Sequence, residues 1–467
     1  MPISHHPHKI IKLLAALGVA AGCFLGAPTT GHAGDLPAGE PPNIILISIE
    51  ATRADHLGCY GYGRATSPAI DRLAREGVRF ENMFVQRGLT WPSLTSIMTS
   101  RYPVNHGVRD NGHFDTLADQ QHLAEIMKSR GYMTGAFLGN ACQAEWPGFD
   151  RRFCSEDWNL TREAVRWIEE NRTKKMFLWI HYLSPHKPYQ PPPPYDAFFD
   201  PGYSGAINGS TWVLDRVTLG RTQLSPEDLN HVISLYDGSI LFVDSQIQLI
   251  LSKLESLGIR DKSLIIITAD HGEDMYDHNF YFYHAASIHD SSLKVPLIMA
   301  YPGMIPAGQT APGIVRGVDL APTILELAGM KIPSFFEGRS LSPLVFSKAA
   351  ADDFDDAVSE WEDKILSIRD HRYRYIYNPQ NHHPHMIVRD PSWGYDVAEE
   401  ELYDIIADPK ETNNLALTHP KLLRRMKKKL MDWEFFKKWR ATHNIEEQDA
   451  RVPQETLEQL RALGYAQ

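Results

Sequence analysis

Three short, continuous runs of apolar residues constrain the fold of this chain most strongly. They are Asn43–Ile49 (NIILISI), Met176–Tyr182 (MFLWIHY) and 264–268 (LIIIT). Short runs rich in β-branched residues are typical of strands buried on both faces, as in a parallel sheet. Helix-like segments separate them, at 67–76, 117–130, 162–171 and 226–257. The sequence therefore predicts an α/β fold with a doubly wound, mostly parallel central sheet flanked by helices.

Each of the three runs leads into polar side chains that can bind a metal ion or react. Glu50 follows the first run, His186 lies a few residues beyond the second, and Asp270 and His271 follow the third. In open α/β sheets, ligands bind beyond the carboxyl ends of the strands. The sequence therefore predicts a metal site at this edge of the sheet.

The first 33 residues are typical of an export signal. A weakly basic start precedes an apolar stretch at 10–27, and Gly31-His32-Ala33 offers a small-x-small cleavage site. The stretch is short for a membrane span, which needs about 20 apolar residues. We therefore predict an exported protein of the periplasm or cell envelope, with a linker at 34–42 and no membrane span after cleavage. A lipid anchor on Cys23 is the second interpretation, and an uncleaved anchor is the third.

Charge and cysteine content narrow the classes of partner. The net charge is −11, from 47 Lys and Arg against 58 Asp and Glu, which argues against nucleic acid as the main partner. Beyond the signal the chain contains Cys59, Cys142 and Cys154. In an oxidising compartment Cys142 and Cys154 could pair, or all three thiols could be buried and inert.

A change in composition divides the rest of the chain. Residues 347–356 are rich in Ala and Asp, which suits a boundary between a catalytic domain at 43–345 and a smaller C-terminal part at 346–467. Within the latter, 369–378 and 401–405 are predicted to be short strands, and amphipathic helices follow. We therefore expect a small C-terminal α+β subdomain with tail helices.

A series of motifs runs in order through nearly the whole mature chain. The motifs are NIILISIE at 43–50, RADHLGCYGY at 53–62, SPAIDRLAREGVRF at 67–80, TWPS at 90–93, RYP at 101–103, SPHKP at 184–188, DHGE at 270–273, VPL at 295–297, ELYD at 401–404 and DPKETNNL at 408–415. Together they closely resemble the sulfatase family of the alkaline-phosphatase superfamily. The resemblance implies metal-dependent ester hydrolysis on an alkaline-phosphatase-like α/β fold.

The chain departs from the sulfatase pattern at the nucleophile. Sulfatases carry Cys or Ser, then x-Pro-Ser-Arg, and oxidise the first residue to formylglycine, whereas this chain has Thr90-Trp91-Pro92-Ser93-Leu94. Threonine cannot give that aldehyde, so we predict direct attack by the Thr90 hydroxyl, which needs a metal or a base to activate it. Pro92 suits the first turn of a helix, which would place Thr90 at a helix N-terminus, where the dipole favours anions.

A second departure lies in the metal ligands. Sulfatases use two adjacent aspartates on the first strand, whereas this chain has Glu50 and Ala51, and it has Asp270-His271 where sulfatases often have Asp-Asn. The set Glu50, Thr90, Asp270 and His271 resembles the single-metal site of phosphoglycerol transferases of the lipoteichoic-acid-synthase type. This resemblance implies one divalent metal ion. The ligand types favour Mn²⁺ or Zn²⁺, with Ca²⁺ or Mg²⁺ as alternatives.

Three further residues are expected to contact the substrate. His186 resembles the sulfatase histidine that contacts the substrate oxyanion, and His284 falls near the position of a cationic or acid/base group, where it could protonate the leaving oxygen. Asn140 replaces part of a Lys- and His-containing stretch and could donate a hydrogen bond to the oxyanion. The predicted catalytic residues are therefore Thr90, His186 and His284, and the predicted substrate-binding residues are Asn140, His186 and His284.

These residues predict cleavage of a phosphate ester, either a phosphodiester or a phosphomonoester, through a covalent phospho-threonine. The first alternative is hydrolysis of a sulfate ester without formylglycine, and the second is a catalytically silent binding protein with the same fold. The expected substrate is an anionic ester of a small molecule, or one linked to a glycan or a lipid.

Overall fold

A computed structural model describes residues 41–112, 120–278, 280–284, 288–346, 354–361, 364–380 and 398–433. The predicted signal peptide, Cys23 and most of the predicted tail lie outside these residues, so the corresponding predictions stay predictions. None of the helices within the described residues is both long and apolar enough to cross a membrane.

Fourteen strands lie within the described residues. They are β1 Asn43–Ile49, β2 Val78–Phe84, β3 Met133–Leu138, β4 Arg151–Cys154, β5 Met176–Tyr182, β6 Ser263–Ala269, β7 Asp274–Asp277, β8 Phe280–Tyr283, β9 Lys294–Ala300, β10 Gln309–Arg316, β11 Asp356–Trp361, β12 Ile365–Asp370, β13 Tyr373–Tyr377 and β14 Glu400–Asp404.

Eleven α-helices lie within the same residues. They are α1 Pro68–Glu76, α2 Thr90–Thr99, α3 Pro103–His106, α4 Leu123–Ser129, α5 Asp157–Asn171, α6 Thr211–Thr218, α7 Pro226–Ser256, α8 Asp290–Leu293, α9 Leu320–Leu327, α10 Ser342–Val345 and α11 Pro420–Asp432.

The central sheet has eight strands in the order β10-β2-β9-β6-β1-β5-β3-β4. Strand β9 pairs antiparallel with both β2 and β6, and the other neighbours are parallel. The three apolar runs form β1, β5 and β6 at the centre, where every residue is buried. The predicted mostly parallel α/β sheet is therefore confirmed.

A four-stranded antiparallel sheet, β11-β12-β13-β14, forms the smaller C-terminal subdomain. The segment 369–378 was expected to be one strand, and that was wrong. It contains the end of β12 and all of β13, which pair antiparallel on either side of a tight turn at His371 and Arg372. Helix α11 covers this sheet with Met426 and Leu430 buried, so the α+β subdomain is confirmed. Its boundary at 345/346 stays a prediction.

Cys142 and Cys154 form a disulfide, with their Cα atoms 5.9 Å apart. It joins the turn after β3 to the end of β4 at the edge of the central sheet. This pairing was one of the two interpretations left open by the sequence. A disulfide suits the oxidising compartment that the predicted export signal implies.

Candidate active site

Two strands of the central sheet and one helix bring the predicted metal ligands together. Glu50 directly follows β1, Asp270 and His271 directly follow the neighbouring parallel strand β6, and Thr90 is the first residue of α2. All four side chains are fully buried. Because the carboxyl ends of β1 and β6 lie side by side, their terminal residues meet at one point, as predicted from the sequence.

The side-chain atoms converge closely. Thr90 Oγ1 donates a hydrogen bond of 2.6 Å to Glu50 Oε1 and lies 3.4 Å from His271 Nε2. His271 Nε2 is 3.5 Å from Glu50 Oε1 and 3.3 Å from Asp270 Oδ2. Four ligands at about 2.1 Å from one ion are separated from each other by roughly 3–3.5 Å in a tetrahedral site. The three separations that involve His271 Nε2, at 3.3–3.5 Å, therefore suit a single divalent ion, and Thr90 and Glu50 lie closer because they share a hydrogen bond.

The tautomer of His271 suits metal binding. Its Nδ1 lies 2.8 Å from the carbonyl oxygen of Gly272, so Nδ1–H donates to that oxygen and Nε2 faces the cluster. Metal-binding histidines are usually held in this way by a hydrogen bond from the other ring nitrogen. The loop after β6 thus fixes both the orientation of the ring and the nitrogen that it presents.

Asp270 is held by one oxygen and presents the other. Its Oδ1 accepts hydrogen bonds from the backbone N–H groups of Ala51 and His271, at 3.0 and 2.9 Å. Its Oδ2 is buried and accepts no hydrogen bond from the described residues. A buried carboxylate oxygen without a donor is costly unless a cation binds it. The residues present therefore fit a single bound cation.

The electrostatics of the cluster agree with this fit. Burial and the nearby Glu50 carboxylate raise the pKa of Asp270 to about 6. Burial acts to lower the pKa of His271, but Asp270 and Glu50 outweigh it and raise the pKa to about 9. Without a cation, a proton on the imidazole compensates the two carboxylates. A divalent ion would displace that proton and take over its role.

His181 is a member of the cluster that the sequence analysis missed. It lies on β5 opposite Ser48 of β1, and its Nε2 is 2.7 Å from Glu50 Oε2 while its Nδ1 is 2.8 Å from Ser48 Oγ. Glu50, His181 and Asp270 each offer a ligand atom within 4.8 Å of the others. One signal could have revealed it, because His181 is the only ionisable imidazole or carboxylate within the apolar run 176–182.

We expect substitution of His181 by alanine to weaken metal binding about 10- to 100-fold, which is the usual cost of losing a group that orients a ligand. The reason is that His181 fixes Glu50 Oε2 and so aims Oε1 at the cluster. Metal affinity is measured by titrating the metal-free protein with Mn²⁺ and Zn²⁺. The matched control is His122→Ala, since His122 is buried at the start of α4, on another element. Equal affinities for the two variants would contradict a positioning role of His181.

His186 and His284 lie beside the cluster, and their predicted contacts with the substrate stay predictions. The ring centroid of His284 is 4.2 Å from that of His271 and 5.1 Å from that of His186. Burial and the neighbouring His284 lower the pKa of His186 to about 3. Burial and His271 likewise lower the pKa of His284. Both imidazoles beside the site therefore favour the neutral form. A bound anion would shift them towards the protonated form.

Glu273 is a second residue that the sequence analysis did not single out, although it ends the DHGE motif. Its Oε1 lies 3.0 Å from His284 Nδ1, and its side chain is fully buried. This contact fixes the imidazole of His284 through Nδ1. The pair thus has the geometry of an acid/base histidine held by a carboxylate.

Asn140 lies in the turn after β3, the strand next to β5 in the sheet. Gly139 N donates a hydrogen bond of 2.9 Å to the carbonyl oxygen of His181, which places this turn at the same edge as the cluster. The Asn140 side chain is only 6% exposed. Its role in binding the oxyanion stays a prediction.

Comparison with protein families gives two matches. A family model described as Sulfatase matches residues 42–330, and one described as N-sulphoglucosamine sulphohydrolase, C-terminal, matches residues 277–435. An N-acetylglucosamine-6-O-sulfatase of Bacteroides thetaiotaomicron is 23% identical over 88% of this chain and 87% of its own length. An ulvan-active sulfatase of Formosa agariphila is 26% identical over 81% of this chain and 76% of its own length.

Solved structures share the fold. A structure in complex with D-glucosamine-2-N,6-O-disulfate superimposes with a TM-score of 0.73 at 21% identity, covering 87% of this chain and all of that one. The phosphonate monoester hydrolase of Agrobacterium radiobacter gives a TM-score of 0.68 at 22% identity, covering 86% and 96% of the two chains.

Proposed function

This chain belongs to the sulfatase family, and on that premise we propose that it is a metal-dependent hydrolase that cleaves an anionic ester on a carbohydrate, with Thr90 as its nucleophile. The observation that carries the proposal is the convergence of Thr90 Oγ1 with Glu50, Asp270 and His271 at the start of α2. A hydroxyl in an ordinary N-terminal helical turn has no reason to meet two carboxylates and an imidazole in a fully buried cluster.

The roles of the residues follow from their positions. A divalent ion held by Glu50, Asp270 and His271 would lower the pKa of the Thr90 hydroxyl and polarise an oxygen of the ester. Thr90 Oγ1, after its proton has passed to solvent, forms a bond to the phosphorus or sulfur of the substrate, and the bond to the leaving alcohol oxygen breaks. The α2 N-terminus stabilises the anion that Thr90 attacks.

The proton of the leaving alcohol comes from the histidine pair. His284, fixed through Nδ1 by Glu273, donates from Nε2 to the leaving oxygen, while His186 faces the anion beside it. Water then attacks the phosphorus or sulfur, His284 takes up the proton of that water, and the bond to Thr90 Oγ1 breaks, which regenerates the Thr90 alkoxide and releases the inorganic anion. The same imidazole thus acts first as acid and then as base.

Two types of ester remain as candidate substrates, a sulfate ester and a phosphate ester. The comparisons favour the sulfate ester over the phosphate ester expected from the sequence. The curated relatives cited above are named as sulfatases, and their names specify N-acetylglucosamine-6-O-sulfate and ulvan as the relatives' own substrates. One structural neighbour holds a glucosamine disulfate. A sulfated carbohydrate is therefore the first candidate substrate for this chain.

The phosphate ester is the second candidate, and Thr90 is the observation that favours it. After attack by threonine, sulfate would sit on an ordinary alkyl oxygen, and its release requires a second displacement at sulfur. A formylglycine hydrate avoids that step by eliminating sulfate, which threonine cannot do. A phospho-threonine has no such handicap, and a phosphonate monoester hydrolase shares the fold.

We expect the enzyme loaded with Mn²⁺ or Zn²⁺ to turn over at least one of four matched aryl esters: sulfate, phosphomonoester, phosphodiester and phosphonate. The ratio of their kcat/KM values shows whether the enzyme prefers a sulfate or a phosphate ester. A sulfate ester preferred over both phosphate esters would establish the first candidate, and the reverse order would establish the second. Turnover of none of these esters or of glucosamine 6-sulfate with any of Mn²⁺, Zn²⁺, Ca²⁺ and Mg²⁺ would refute hydrolysis and leave a binding protein.

A further inference from the structure

Helix α6 is bound to the side of the site that carries the two histidines. Lys187, which follows His186, is 6% exposed, and its Nζ donates a hydrogen bond of 2.7 Å to Asp215 Oδ1 in the middle of α6. The same Nζ lies 5.6 Å from the ring centroid of Tyr283, which precedes His284. Lys187 therefore ties α6 to both catalytic histidine segments.

The exposed face of α6 carries a large aromatic ring. Trp212 lies one turn before Asp215, so the two side chains project from the same side of the helix. Trp212 is 70% exposed, although tryptophan is highly buried on average. An exposed indole on a helix that is tied to the histidine segments offers a flat apolar face on which a partner can stack.

A cation accompanies this ring. The guanidinium carbon of Arg216, four residues after Trp212, lies 5.1 Å from the indole centroid. Stacking orients the guanidinium, whose Nε donates a hydrogen bond of 3.3 Å to Thr222 Oγ1, and its terminal N–H groups can donate to an anionic group. Trp212 and Arg216 therefore combine a flat apolar surface with a donor for sulfate or carboxylate, the two features that an acidic sugar residue displays.

We propose that Trp212 and Arg216 form a subsite for a second saccharide unit, one carrying a sulfate or carboxylate, of an oligosaccharide whose scissile ester lies at Thr90. This inference rests on the proposed function, because it assumes a carbohydrate ester at the cluster. The pyranose C–H groups pack against the indole face, and the anionic substituent pairs with Arg216. The subsite selects substrates longer than one saccharide.

The chain contains a matched control for this surface. Trp158 on α5 is 52% exposed, and Arg162, also four residues later, stacks over it at 5.4 Å. This second pair lies along a groove between α5 and α7, on the outer helical layer. It has the same chemistry as the proposed subsite, but its helix contacts the loop before His186 through Asp157, which accepts hydrogen bonds from Leu183 N and Ser184 N, and not through Lys187.

The experiment compares Trp212→Ala, Arg216→Ala, Trp212→Tyr and Trp158→Ala with the unaltered enzyme. Binding of heparin-derived and chondroitin-sulfate-derived tetrasaccharides and of glucosamine 6-sulfate is measured by calorimetry, alongside kcat/KM for the aryl esters. We expect Trp212→Ala and Arg216→Ala to weaken tetrasaccharide binding relative to the monosaccharide about tenfold, the scale of one lost aromatic contact. Trp212→Tyr restores most of the loss, and Trp158→Ala leaves the ratio unchanged.

Each other outcome overturns the inference. Equal ratios for Trp212→Ala and Trp158→Ala, or no tetrasaccharide binding by the unaltered enzyme, would show that α6 carries no sugar subsite. Loss of a dimer on Trp212→Ala, seen by analytical ultracentrifugation, would identify the surface as an interface between copies instead. Because the aryl esters do not extend to α6, their turnover tests the proposed function separately.

Discussion

Replacing Thr90 by alanine is expected to lower kcat by about 10³-fold or more on every ester that the enzyme cleaves, since the covalent step loses its nucleophile. Thr90 Oγ1 is the only hydroxyl oxygen in the cluster formed with Glu50, Asp270 and His271 among the described residues. The Thr90→Ser variant keeps an oxygen at this position and is expected to retain measurable activity. Steady-state kinetics of the three proteins, each loaded with metal, gives the comparison.

The control is Thr95→Ala, five residues further along α2 and also buried. It changes the same helix without removing a group from the cluster, so its activity should stay close to that of the unaltered enzyme. Peptide mass spectrometry should find residue 90 as unmodified threonine, and trapping with a slow substrate should add the anion to that peptide. Full activity in Thr90→Ala, or a formyl group in this peptide, would disprove the proposed nucleophile.

The second large effect is expected from Asp270→Asn, which should abolish metal binding and lower activity by a similar factor. The amide oxygen can still accept the N–H groups of Ala51 and His271, so the turn after β6 is preserved. The amide nitrogen would replace Oδ2, which lies 3.3 Å from His271 Nε2, and would present a donor where a cation needs an acceptor. Metal content is measured by inductively coupled plasma mass spectrometry after gel filtration. It should fall from about one ion per chain to none.

Asp244→Asn provides the comparison for this substitution. Asp244 is another buried carboxylate, and it accepts the N–H groups of Ala69 and Ile70 at the start of α1, away from the cluster. The folded Asp244→Asn protein should keep its metal. An unchanged metal content in folded Asp270→Asn would remove Asp270 from the ligand set and with it the single-metal mechanism.

Much of the fold could be predicted because its central strands are buried on both faces. The runs at 43–49 and 176–182 became β1 and β5 with those bounds, and 264–268 lengthened by one residue at each end as β6. A strand buried on both faces needs a continuous apolar sequence, and such a run is visible in consecutive residues. The hairpin of β12 and β13 was missed because its turn at 371–372 contains neither Gly nor Pro.

The candidate site divides in the same way. Motif and chain position determined Glu50, Thr90, Asp270 and His271, because each directly follows a strand or begins a helix whose identity the sequence makes plain. The partnerships of His181 with Glu50 and of Glu273 with His284 required the folded chain. His181 lies inside a strand, and its side chain points to one face of the sheet. Which residue of an adjacent strand it contacts is unknown until the strand order is known.

The sequence by itself thus determined the central sheet, the family and the four residues that converge at its carboxyl edge. The tertiary structure alone decided which nitrogen of His271 faces the cluster, which oxygen of Asp270 is left for a cation, and that Lys187 joins α6 to the segment carrying His186. The physical reason is the separation along the chain between the residues that interact. The burial of a strand is recorded in its own consecutive residues. Hydrogen-bond partners, in contrast, come from segments that are separated by tens to hundreds of residues.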